Sequence, residues 1–430
     1  MPDKRILLIN HYAGSPDMGM AFRPYYLARE WLKMGYRVDI IAADFSHLRI
    51  KNPEISHDFQ EEVIDGIHYH WVHTSRYQGN GVKRALTMAQ FVGKLWLRAG
   101  KIARELKPDI VITSSTYPLD TFAGQRIVKI RNGGGVRKLI HEVHDMWPET
   151  PVRLGNLPRW HPFVVAMQIG ENSAYRHSDY VVSLLPLAED YMKRHGLADK
   201  KFCHIPNGVV EEEWDNPAPI PAEHEALLRQ LKADGRFIVG YFGGHALSND
   251  LDTLLDATKL CGKDTAFVLV GNGVEKARLM ERAQAENLSH VFFLPPVPKL
   301  AVPNLVKWFD CSYMGTMQSP LYQFGLCINK LFDSMMAGKP ILCAITTPDD
   351  IVSRYGCGVM LPSEQPERVA QAVDKLKSMT PEERLQMGRN GQDAAKQFFT
   401  YRQLAKKFAA LFDYVRLTEK NDTAFRAARR

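Results

Sequence analysis

Lys330 and Asp333 stand three residues apart, and on a helix, where each residue advances about 100°, that makes them surface neighbours. The spacing predicts such a helix: Ile328, Leu331, Phe332, Met335 and Met336 recur at i, i+3, i+4, i+7 and i+8 as one apolar stripe, and Gly338 followed by Pro340 ends it. Lys330 and Asp333 fall on the opposite face. Gly325 just upstream lets a ligand approach the backbone, so the free N–H groups from Leu326 onward, with the Lys330 ammonium, can receive an anion. Asp333, one turn further in, can accept hydrogen bonds from a pair of hydroxyls, as on a ribose. Anion and diol together make half of a nucleotide site. The competing reading is an ordinary surface helix whose lysine and aspartate are simply solvated.

A second chemistry-bearing stretch is His144-Asp145-Met146-Trp147-Pro148-Glu149. It follows an apolar run, residues 138–143, that reads as a strand, and polar groups crowded at the carboxyl end of a parallel strand suggest a site. The bland alternative is that Asp145 only caps the following turn. Three glycine loops complete the candidates: Gly14 to Gly19 with Arg23 just beyond, Gly243-Gly244-His245, and Gly271-Asn272-Gly273. None fits G-x-G-x-x-G, since Gly14 and Gly19 are misspaced and Lys276 stands where a third glycine would, so a dinucleotide is not expected. Arg23 could reach toward a ligand from its helix start or lie solvated. Residues 67–73 alternate with period two, which splits His68 and His70 from Trp71 across a strand instead of gathering a metal site.

The elements that must hold these groups alternate strand and helix. Residues 5–9 form a buried strand, a glycine loop leads into a helix over about 22–34, and a strand follows over 37–41: a βαβ opening. A long helix carries Phe91, Val92, Leu95, Trp96, Ala99, Ile102, Ala103 and Leu106 on one stripe and Lys83, Lys94, Lys101 and Arg104 on the other side. Such a helix could lie on an anionic bilayer or simply turn its stripe to a core. Strands follow at 109–113, 138–143 and 179–183, with Gly133-Gly134-Gly135 as a turn, and residues 211–221 read as a linker. A second series restarts at 237–241 and 266–270 and continues through 291–294, 311–314, 340–343 and 359–361. Helices at 366–377, 381–398 and 401–417 finish the chain, followed by a basic tail ending in Arg426 to Arg430. The predicted fold class is therefore α/β, two Rossmann-like domains facing across a cleft.

The run around Asp333 resembles the donor-binding helix of family-4 retaining glycosyltransferases of the GT-B fold, whose usual form is a glutamate, seven residues and a second glutamate followed by Met-Ala-x-Gly-x-Pro. Met335 or Met336, Ala337, Gly338 and Pro340 match that tail, and Asp333 stands where the second glutamate would. Tyr322 replaces the first glutamate, Phe324-Gly325 comes three residues early, and Lys330 appears in the extension, a variant that resembles the bacterial O-antigen and capsule branch. His144-Asp145 and Asp145-Met146-Trp147-Pro148 are similar to the family's acceptor-side motifs. The resemblance implies an acceptor domain over 1–208, a donor domain over 209–398, a helix over 399–418 returning to the first domain, and a basic tail over 419–430. It also implies donor-binding roles for Gly19, Arg23, Gly244, Asn272, Gly273, Gly325, Leu326, Lys330 and Asp333, with His144, Asp145 and Lys330 serving catalysis.

Length and composition agree with a globular two-domain protein: 430 residues, 45% apolar and 24% charged. A net charge of +7 permits anionic substrates or an anionic membrane surface, and without a basic cluster it does not point to nucleic acid. All six cysteines lie from Cys203 onward without metal spacing and read as reduced thiols, and the longest apolar run near the start, residues 6–9, is too short for a signal peptide. The expectation is a cytoplasmic enzyme, peripheral on the inner membrane face. It would move a hexosyl or N-acetylhexosaminyl group from a nucleotide-diphosphate sugar to a polyprenyl-linked saccharide, without cofactor or metal, because backbone dipoles and Lys330 would carry the leaving-group charge. The rivals are a nucleotide-sugar 2-epimerase of the same fold and a donor-binding scaffold without catalysis.

Overall fold

The structure, a computed structural model, describes residues 4–19, 23–79, 81–130 and 137–413. Phe22, the Gly133-Gly134-Gly135 turn and the basic tail lie outside the described residues. The chain divides into two compact units: one runs to Pro206 and resumes at Tyr401, and the other spans Asn207–Thr400.

The first unit is built on an eight-stranded sheet of order β3-β4-β2-β1-β5-β6-β7-β8. Its strands are β1 (Arg5–Ile9), β2 (Arg37–Ala43), β3 (Gln60–Ile64), β4 (Ile67–Val72), β5 (Ile110–Thr113), β6 (Lys138–Val143), β7 (Tyr180–Ser183) and β8 (Phe202–His204). All neighbours are parallel except β3, which pairs antiparallel with β4. Ile6, Leu7, Leu8 and Ile9 are fully buried, as expected of a central strand covered on both faces. β3 and β8 have no counterpart in the sequence reading. β3 reads Gln-Glu-Glu-Val-Ile, a polar edge strand without an apolar run to reveal it. The helix Tyr401–Asp413 belongs to this unit, where Trp31 packs edge-on against Phe408 and Phe412 and donates from Nε1 to the Ala405 carbonyl.

The helix Val82–Glu105 turns Phe91, Leu95, Ala99, Ile102 and Ala103 into the core. Its basic side is partly committed: Lys94 pairs with Asp58 at 3.0 Å and donates to the His73 carbonyl, and Lys101 faces Glu105. Trp96, read as part of the stripe, is instead exposed, with the Arg126 guanidinium 3.7 Å over its ring.

The second unit carries a six-stranded parallel sheet of order β11-β10-β9-β12-β13-β14, from β9 (Phe237–Phe242), β10 (Thr265–Val270), β11 (Val291–Leu294), β12 (Cys311–Gly315), β13 (Ile341–Ala344) and β14 (Gly358–Leu361). The run read as a linker is not free. It holds a short helix, Glu212–Asp215; Asn304 donates to the carbonyls of Pro217 and Ala218; and Ile220 is buried in this unit's core. The helix Asn329–Met336 buries Leu331, Phe332, Met335 and Met336 as its stripe predicts, and Gly338 ends it with a left-handed φ of 64°.

Candidate functional site

In the second unit the loops after β9 and β10 interlock. A Cβ on Gly271 would lie 1.9 Å from the Gly243 carbonyl oxygen, and His245 N donates to the Asn272 carbonyl at 2.8 Å, so a glycine is what lets the two backbones meet. Lys276, standing in place of a third glycine, anchors this pair from below by donating to the carbonyls of Gly271 and Leu294. Together with the turn Lys299–Ala301 and the start of Asn329–Met336, the loops enclose a concavity of about 400 Å³ lined by Phe242, Gly244, Asn272, Val297, Lys299, Lys330 and Asp333, among others. That volume is in the range of small-ligand pockets. The helix start has no side-chain cap, so its first N–H groups are left as donors.

Of the two lysines that line this pocket, Lys330 is the more buried. Its Nζ donates to Tyr241 Oη at 3.0 Å and Asn249 Oδ1 at 2.9 Å and lies 4.5 Å over the Tyr241 ring. No carboxylate pairs with it among the described residues, and burial pushes its pKa down to about 8. His245, fully buried and stacked on Tyr241, is held neutral: burial, then the charges of Lys276 and Lys330, bring its pKa down to about 4. Asp333 is not solvated, as the surface-helix reading had it; it is 7% exposed and its Oδ1 accepts from Lys299 Nζ. Gly325 takes a backbone conformation (φ 99°, ψ −173°) that side chains disfavour, and Gly325 and Leu326 are both buried.

In the first unit β6 carries Glu142 and delivers His144 just past its end. His144 Nε2 lies 2.9 Å from Ser114 Oγ and 3.2 Å from Glu142 Oε2, and Ser114 Oγ donates to the same carboxylate oxygen at 2.6 Å. A carboxylate only accepts, so the Nε2 proton faces Glu142, and Nδ1 stays unengaged among the described residues. The other oxygen, Oε1, accepts from Arg23 at 3.0 Å. Burial alone would raise the Glu142 pKa; the charges of Arg23 and His144 and the hydrogen bonds from His144 and Ser114 reverse that and hold it well below the usual carboxylate range. Arg23 is thus corrected: it does not reach toward a ligand, because it is buried and its remaining donors go to the carbonyls of Ile205 and Pro206.

The structure brings Gly244, Asn272, Lys330 and Asp333 to one pocket, with Gly273 beside it on the same loop. Gly19 belongs to the first unit, where it is exposed and left-handed (φ 100°) after the turn Pro16–Met18. Asp145 is exposed with no side-chain partner among the described residues, and it does not cap the following helix, Glu149–Arg153, whose Glu149 is held by Arg153 and Arg159. Sequence reasoning missed Glu142, Ser114, Lys299, Tyr241 and Asn249. The signal for Glu142 was present, since a glutamate inside a buried strand demands a cationic partner. The metal-free expectation took an Asp-x-Asp sequence to be absent, and that is corrected: Asp250-Leu251-Asp252 is one, with Asp252 engaged by Arg278 and Arg282.

Comparison with known proteins adds to this geometry. A glycosyl transferase 4-like domain matches residues 18–208 and a glycosyl transferases group 1 domain matches residues 225–394. WcaI of Escherichia coli (strain K12), whose name places it among glycosyl transferases of colanic acid biosynthesis, is 28% identical over 143 residues, a stretch spanning 33% of this chain and 35% of that protein. HepE of Anabaena, crystallised with UDP, superposes with a TM-score of 0.65 at 16% identity over 95% of this chain and 98% of its own. WaaG, a glycosyltransferase involved in lipopolysaccharide biosynthesis, superposes with a TM-score of 0.63 at 13% identity over 96% of this chain and 100% of its own. No described helix is long and apolar enough to cross a membrane. Most of the chain is thus accounted for by a glycosyl transferase 4-like domain followed by a glycosyl transferases group 1 domain, and its fold is of the GT-B type.

Proposed function

We propose that the chain transfers a sugar, with retention, from a nucleotide-diphosphate donor to a lipid-linked saccharide in the synthesis of a bacterial surface polysaccharide. One observation carries the donor half: Lys330 is a partly buried cation without a carboxylate partner, in the same pocket as the buried carboxylate of Asp333. An anion bound there would supply the missing counter-charge, and a ribose would meet Asp333. The UDP in HepE and the polysaccharide context of WcaI and WaaG support the donor and acceptor classes. In this mechanism Lys330 and the uncapped N–H groups stabilise the leaving diphosphate, no metal is required, and His144, oriented by Glu142, faces the acceptor with its free Nδ1 and with Asp145 beside it.

The test is a panel of nucleotide sugars given with and without a polyprenyl-diphosphate saccharide. Product should require both substrates and persist in EDTA. Epimerised donor without acceptor would mark an epimerase, binding without product an inactive scaffold, and activity lost in EDTA and regained with manganese or magnesium would end the metal-free reading.

The protein is also proposed to work peripherally on an anionic membrane, touching it with the exposed Val82, Leu86 and Leu97 and with Lys83 of the long helix. Neutralising Lys83, Lys94 and Lys101 together should reduce flotation with phosphatidylserine liposomes, by a margin that shrinks in high salt. Because Lys94 and Lys101 already face carboxylates, Lys83→Gln should account for most of the loss. Equal flotation of parent and triple variant would leave this helix a core element only.

A further inference from the structure

Asp333 and Lys299 meet inside the pocket although different walls carry them: Asp333 sits on the helix Asn329–Met336, and Lys299 opens the turn Lys299–Ala301 beyond β11. The pair is asymmetric. Only Oδ1 takes the ammonium, Oδ2 has no partner among the described residues, and Lys299 donates to nothing else there. An ammonium has three donors and a carboxylate about four acceptor positions, so both groups keep capacity to spare. Side by side, then, the pocket offers a free acceptor and a free donor, with Asp333 buried and Lys299 open to solvent on one side, its side chain 40% exposed. A lone carboxylate can only accept from hydroxyls. A carboxylate with an ammonium beside it matches a vicinal diol more fully: one hydroxyl donates to Oδ2, and the oxygen of its neighbour accepts from Nζ. The ammonium also fixes the carboxylate rotamer before the ligand arrives, so less order is lost on binding.

We propose that Lys299 is a specificity-determining residue of the donor site, and that Lys299 and Asp333 together read the ribose diol of the nucleotide. This rests on the pocket being a nucleotide-sugar site, as proposed above. The test is calorimetry on the full chain with UDP, GDP and ADP and their 2′-deoxy counterparts, comparing parent, Lys299→Met, Lys299→Gln, Lys299→Arg and Asp333→Ala. For whichever nucleotide binds, the parent should favour the ribose form. Lys299→Met should erase about tenfold or more of that preference, the worth of a charge-assisted hydrogen bond, while changing affinity for the deoxy form little. Lys299→Arg should restore part of it. Lys299→Gln reports in place of Lys299→Met if the latter loses its cooperative melt. A parental ribose preference in both neutral variants would overturn the proposal. A preference left intact in Asp333→Ala would overturn it equally, whereas failure of the underlying reading looks different: no nucleotide binds the parent.

Discussion

Lys330→Met is expected to reduce turnover by about 100-fold or more, the usual consequence of removing one charge-stabilising donor from a reacting centre, while weakening binding of the sugar-free nucleoside much less. The reason is electrostatic. Lys330 rests on two neutral oxygens, those of Tyr241 and Asn249, so its charge is not answered by the protein and is available to a leaving diphosphate. Its pKa of about 8 sets the pH dependence: burial disfavours the ammonium, which is present below that pH and lost above it. In the free protein, kcat/KM should therefore fall as pH rises through about 8. A bound diphosphate favours the ammonium, so kcat should hold to higher pH and fall later. The same burial acts against folding, because the unfolded lysine keeps its proton up to its ordinary value of 10.5, so this group's contribution to stability rises with pH between the two values. The thermal midpoint of Lys330→Met at pH 7 should accordingly hold or rise, which separates lost chemistry from lost folding. A kcat/KM that stays flat in the parent from about pH 7 to 10, or a variant with near-parental turnover, would remove this charge from the mechanism.

Glu142→Ala should destabilise the protein by about 3–5 kcal/mol, because it leaves the buried Arg23 guanidinium without its counter-charge. Glu142→Gln keeps the shape and isolates the charge. The sign of its pH dependence follows from the depressed folded pKa: the carboxylate contributes stability above its ordinary value of 4.5, and that contribution is lost as pH falls below it toward the folded pKa. The stability gap between parent and Glu142→Gln, read from urea midpoints, should be full at pH 7 and narrow on acidification below about 4.5. Activity should fall too, because His144 loses the carboxylate that fixes its tautomer, with kcat reduced more than KM is raised. A gap that does not change with pH would show that Glu142 is no more than a polar filler beside Arg23.

Most of the sheet framework was legible because parallel strands buried on both faces are continuous apolar runs, as in Ile6-Leu7-Leu8-Ile9 and Ala266-Phe267-Val268-Leu269-Val270. β3 and β8 escaped because one is polar and the other three residues long, and neither carries enough apolar pattern to declare itself. The packing stripe of the helix Asn329–Met336 was equally plain, since its 3.6-residue period is a local property.

By itself the sequence determined most of the strands and helices, most of the apolar faces they bury, and that Lys330 and Asp333 share one helix while His144 follows a strand. Only the tertiary structure decided what those residues meet. Asp333 meets Lys299 from 34 positions away, Lys330 meets Tyr241 and Asn249 from 89 and 81 away, and Arg23 meets Glu142 from 119 away and so is structural rather than a ligand contact. The physical reason is that periodicity records only whether a side chain faces water or core, averaged over a helix or strand. The partner of a buried charge is chosen by loop lengths and crossovers that carry no period, and the requirement that such a charge be paired says that a partner exists without saying where along the chain it lies.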